Sequence, residues 1–96
     1  MDQAEVLRRL KESKAYMMRE FGVTELALFG SVARGEAREN SDVDILVRFD
    51  GPATSKRYFG VQFYLEDVLD CVVDLVTDKA LRGELRPYVE AEALHV

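Results

Sequence analysis

Six residues, Asp42-Val43-Asp44-Ile45-Leu46-Val47, constrain this chain more than any others. Ile, Leu and Val in succession read as a buried strand. That strand opens on two carboxylates one residue apart. Residues i and i+2 of a strand share a face and lie about 7 Å apart. Asp42 and Asp44 therefore point one way, with Val43 and Ile45 opposite. Two like charges on an apolar scaffold repel each other and lose solvation. A divalent cation offsets that cost. Mg2+ takes oxygen ligands, commonly one or two carboxylates plus substrate phosphates.

Two further groups of residues extend this reading. Asp74 interrupts the apolar run Val72-Val73-Asp74-Leu75-Val76. A neighbouring strand there places a third acid beside the first two. Three acids on adjacent strands suit a pair of metal ions about 3.5–4 Å apart, the arrangement that clamps both oxygens of an in-line phosphoryl displacement. Upstream, Gly30-Ser31 follows a short apolar strand. Gly30 permits a tight turn and close backbone approach. The Ser31 hydroxyl and nearby amides suit phosphate oxygens, and Arg34 on the same segment is placed to reach a triphosphate.

The rest of the chain alternates between helical and strand patterns. Val6, Leu7, Leu10, Met17 and Phe21 recur at helical spacing, so a helix is predicted over Asp2–Phe21, with Asp2 as N-cap and Gly22 as C-cap. Glu25–Phe29 is predicted as the first strand, Asp42–Phe49 as the second and Cys71–Thr77 as the third. A short helix follows Gly30, another is predicted over Lys56–Asp70, and a helical tail follows Pro87. The order α-β-α-β-α-β-α predicts an α/β (α+β) fold: a small mixed sheet of about three strands flanked by helices. If Ser31, leaving strand one, meets Asp42, entering strand two, those strands are antiparallel. Strand three follows a crossover helix and is expected parallel to strand two.

The length, 96 residues, suits one small domain over 1–96. A single cysteine, Cys71, rules out an intrachain disulfide and reads as a buried thiol. The N-terminus lacks the apolar core of a signal peptide, and no run approaches the roughly 20 residues that span a bilayer. A cytoplasmic protein without membrane attachment is expected. Net charge is −5, and residues 39–96 carry twelve acids against six bases. Direct binding to nucleic acid needs a basic footprint, which this composition lacks. An acidic face suits cations or a basic protein partner.

Gly30-Ser31, ten residues, then Asp42-Val43-Asp44 resembles the signature of the DNA polymerase β-like nucleotidyltransferase superfamily. Within it, "LFGSVARGEARENSDVDILV" resembles the minimal nucleotidyltransferase (MNT) family. "VDLVT" and "LRPYVEAEA" resemble that family's third strand and C-terminal helix. The resemblance implies Mg2+-dependent transfer of a nucleoside monophosphate, AMP from ATP, to a hydroxyl, with release of pyrophosphate. It implies Asp42, Asp44 and Asp74 as catalytic metal ligands, with Asp74 also activating the acceptor hydroxyl. Gly30, Ser31 and Arg34 would bind the triphosphate. It further implies an antitoxin partnered with a HEPN-domain toxin and modifying a toxin tyrosine. Larger superfamily members carry an additional helical domain beside the site, so here a partner is expected to complete it.

Two other readings stand beside this one. The chain is an antitoxin that neutralises its toxin by binding alone, or it modifies a small polycation such as an aminoglycoside. Apolar helix faces suit a partner or a second copy of this chain. Tyr58, Phe63 and Tyr64 are expected in core or partner contacts, and Tyr88 in packing. Glu66, Asp67 and Asp70 read as a solvated helix face. His95 reads as a frayed terminal residue with no catalytic role.

Overall fold

The computed structural model describes residues 2–96. Helix α1 spans Gln3–Phe21, and the Asp2 side chain caps it by accepting from the Glu5 amide at 2.8 Å. It buries Val6, Leu10 and Met17 and stops at Gly22, whose φ of 73° lets its N–H reach the Met18 carbonyl. Strand β1 (Val23–Phe29) runs into the four-residue helix α2 (Gly30–Ala33). Strand β2 covers Val43–Phe49, helix α3 Ser55–Leu69 and strand β3 Val73–Thr77. A 3-10 turn (Asp78–Ala80), helix α4 (Arg86–Glu92) and strand β4 (Leu94–His95) complete the order.

The sheet is mixed, in the order β3-β2-β1-β4. β1 pairs antiparallel with β2, and β2 pairs parallel with β3, as the aspartate argument required. The expected three strands are four. β4 pairs antiparallel with β1, setting His95 against Ala27, so His95 is a strand residue and not a frayed end. Two residues are too few to show a period in sequence, and only the pairing defines them.

One face of the sheet carries the core. Leu26, Leu28, Val43, Ile45, Val47, Val73 and Leu75 pack against Val6, Leu10 and Met17 of α1 and Val61, Leu65 and Leu69 of α3. Each large side chain so buried contributes roughly 1.5–3 kcal/mol. This packing fixes the strand register, because a one-residue slip would turn every apolar residue outward.

The outer edge of β3 is closed by side chains of α3. The Tyr58 hydroxyl donates to the Leu75 carbonyl at 2.5 Å and Gln62 Nε2 to the Val73 carbonyl at 2.6 Å. Glu66 accepts from the Val73 amide at 3.3 Å, so it is not merely a solvated acid. An unprotected edge invites pairing with another chain, and these bonds occupy it. They also fasten β3, and with it Asp74. Tyr64 stacks on Tyr16 with ring centroids 4.6 Å apart. Phe63 and Tyr88 lie outside the core, at 65% and 74% exposure, and Phe63 stacks on Phe59 with ring centroids 6.0 Å apart. Cys71 is half-buried rather than enclosed.

Candidate active site

The site lies where β1 ends and where β2 and β3 begin. Antiparallel register sets Phe29 against Asp44, so Gly30 leaves the sheet directly over that carboxylate. A Cβ at Gly30 would lie 2.0 Å from Asp44 Oδ2, and the residue holds a φ of +75°. Both facts exclude any side chain here. The glycine that sequence reading tied to close approach is approached by the protein's own carboxylate.

Parallel register sets Asp44 beside Asp74. Neighbouring strands are about 4.8 Å apart, and directly paired residues share a face. Val43 and Ile45 point into the core at 2% and 0% exposure, which turns Asp44 outward. Asp44 is half-buried, whereas Asp42 and Asp74 are exposed. Burial pushes the Asp44 carboxyl up to about 6; the charge and hydrogen bond of Asp74 and the charge of Asp42 add to the rise, and Arg34 opposes it. The structure thus brings Asp44 and Asp74 into direct contact. Asp42 precedes β2 and acts on Asp44 through its charge.

Among the described residues, no group of three or more His, Cys, Asp or Glu is placed to hold a metal ion by itself. The donor set nonetheless fits a hard cation: all three groups are carboxylates, and Asp44, raised first by burial and then by the like charges of Asp74 and Asp42, would gain from a cation that neutralises them. An open set of carboxylates suits Mg2+, which keeps positions for water and phosphate.

Ser31 and Arg34 follow on α2 and its C-cap, with Ser31 half-buried. Arg34 is engaged twice: Nε donates to Glu36 at 3.0 Å and Nη1 to Glu92 Oε2 at 2.9 Å. Glu92 also accepts from the Gly30 amide, through Oε1 at 2.9 Å. These bonds hold Glu92 below the usual carboxylate range, Arg34 first among the causes. Sequence reading missed Glu92. It lies 62 residues beyond Gly30, and no local pattern marks it.

Beyond the acids on the same sheet face come Leu46 and Val76, a register pair of half-buried apolar residues. A separate cavity of about 120 Å³ lies at the far end of the strands, lined by Val47, Phe49, Thr77 and Lys79. No helix among the described residues is long and apolar enough to cross a membrane.

Comparison with known proteins places this geometry. The nucleotidyltransferase domain family matches residues 10–94. The protein adenylyltransferase MntA of Thermococcus cleftensis is 39% identical over 87 residues, covering 91% of this chain and 88% of that one. A solved candidate minimal nucleotidyltransferase is 39% identical, with a TM-score of 0.82 over 98% of this chain and 95% of that one. A complex of a tri-AMPylated Shewanella oneidensis HEPN toxin with its MNT antitoxin shares the fold, at 20% identity and a TM-score of 0.66, over 94% of this chain and 70% of that one. With the Gly30 turn, the carboxylates and the mixed sheet in one place, this chain belongs to the minimal nucleotidyltransferases of the nucleotidyltransferase domain family.

Proposed function

We propose that this protein transfers AMP from ATP to a tyrosine hydroxyl of a HEPN-domain toxin and so acts as its antitoxin. The observation that carries the reading is the Asp44–Asp74 pair beneath the Gly30 turn. The naming of its relative as a protein adenylyltransferase supports a protein acceptor. The AMPylated toxin in the Shewanella complex supports the partner.

In this reading Asp42, Asp44 and Asp74 would hold Mg2+, which when bound would supply charge neutralisation for the triphosphate. Gly30, Ser31 and Arg34 orient the triphosphate. The acceptor oxygen attacks the α-phosphorus and pyrophosphate departs. The acceptor proton passes to Asp74, the exposed carboxylate of the pair. The acids face an open surface, so the acceptor protein itself supplies the missing wall and excludes water.

The test mixes the protein with its candidate toxin, α-labelled ATP and Mg2+. Label on the toxin tyrosine is expected, and its loss in Asp44→Asn would tie it to this site. A stable complex that gains no label would instead make the protein an antitoxin by binding.

A further inference from the structure

Glu92 holds two parts of the nucleotide site at once, though it lies on a different element from both. Its Oε1 takes the Gly30 amide and its Oε2 takes Arg34 Nη1, each at 2.9 Å. Gly30 is the residue that passes over Asp44, and Arg34 is the cation whose charge reaches that acid. α4 is itself fastened, because Arg86 at its start bonds Asp78 Oδ1 at 2.9 Å and the Asp78 carbonyl at 2.8 Å.

We infer that Glu92 is a positioning residue for triphosphate binding: it fixes the Gly30 turn and aims the Arg34 guanidinium. The inference rests on the nucleotidyltransferase reading above. Guanidinium carries five N–H donors in a fixed plane. Glu36 and Glu92 engage two of them, leaving three for phosphate oxygens. Gly30 has a single N–H, which Glu92 takes, so Gly30 serves the site through its turn and the phosphate contacts of this segment fall to Ser31 and Arg34. Holding the site and binding the phosphate are therefore compatible, and Glu92 need not leave for ATP to enter. A mobile arginine loses rotamer freedom when it binds, whereas one held in place has already lost it. Glutamine cannot replace the carboxylate fully. Its carbonyl oxygen serves one donor while its amide N–H groups face the other.

The test measures ATP affinity in Mg2+ by calorimetry, and Gly30 amide exchange by NMR. The variants are Glu92→Gln, Glu92→Ala, Arg34→Ala and the combined Arg34→Ala/Glu92→Ala. Glu92→Ala is expected to weaken ATP about tenfold, in line with the loss of a charge-assisted hydrogen bond, and Glu92→Gln by a smaller factor. The losses of Arg34→Ala and Glu92→Ala should not add in full in the combined variant, because part of the Glu92 effect passes through Arg34 and only the part carried by the Gly30 turn remains. The Gly30 amide should exchange faster in Glu92→Ala. Unchanged or tighter ATP binding in Glu92→Ala would overturn the inference, as would losses that add in full. If Glu92→Ala does not fold, Glu92→Gln carries the same comparison. Absence of ATP binding by the unaltered protein would remove the nucleotidyltransferase reading itself, a result distinct from equal binding by protein and variant.

Discussion

One face of the sheet ends in two clusters of charge that have opposite fates. At the far end, Arg48 lies 3.4 Å from Glu25 and 3.2 Å from Asp78, and Arg86 lies 2.9 Å from Asp78. Two cations meet two anions, and Arg86 first and Arg48 next hold Asp78 below the usual carboxylate range. At the near end, Asp42, Asp44 and Asp74 stand together, and the nearby Arg34 is already shared by Glu36 and Glu92. There Asp44 moves the other way, up to about 6. The two ends use the same residue types, aspartate, glutamate and arginine, around the two ends of β2. What separates them is balance: the compensated cluster ties elements together, and the uncompensated one is where the proposed cation and nucleotide would sit.

Mutation should separate the two ends by kind of effect as well as by size. Asp44→Asn should lower AMP transfer about a thousandfold, several kcal/mol of transition-state stabilisation, without unfolding the protein. Label incorporation rates together with circular dichroism check both halves of that statement. Gly30→Ala should damage activity and fold alike. The new methyl group meets Asp44 at 2.0 Å in a left-handed conformation, at a cost of roughly 2–4 kcal/mol in urea denaturation. Asp78→Ala should remove about 1 kcal/mol of stability and change the transfer rate little, because the Asp78 carbonyl still holds Arg86 at the start of α4. A large loss of activity in Asp78→Ala that stability did not explain would break the comparison.

The near end was legible in the sequence because its signals are local. Asp42 and Asp44 break an apolar strand pattern, Asp74 breaks another, and Gly30-Ser31 marks the turn. The antiparallel and parallel pairings followed from asking how those residues could meet. Glu92, strand β4 and the α3 side chains closing the edge of β3 were not legible. Each depends on partners far apart in the chain or on an element too short to show a period. Tyr88 after Pro87 resembled a core aromatic, yet α4 buries only Val89 and leaves Tyr88 outside. A seven-residue helix has too few turns for its inward face to be read from apolar spacing alone.

The smallest predicted effect is the one that most sharpens the contrast between the ends. With metal chelated, the native Asp44 binds its proton up to about pH 6, whereas an unfolded aspartate releases it near 4. Between those values the native state holds more protons than the unfolded state. Stability due to this group therefore falls as pH rises from about 4 to about 6 and is level above. Asp44→Asn removes the penalty. Its thermal midpoint should match that of the unaltered protein at pH 4 and exceed it by roughly 2–4 °C at pH 7.5, the half-exposed position limiting the gain. Mg2+ should narrow the difference at pH 7.5 by stabilising only the protein that keeps the carboxylate. Asp78→Asn should behave in the opposite sense. Its carboxyl is held below the ordinary range, so that variant loses stability above pH 4 and approaches the unaltered protein only as the acid titrates. Midpoints measured in chelator across this range decide the matter. Difference curves of the same sign for the two variants would mean that the ends of the sheet are not electrostatically distinct.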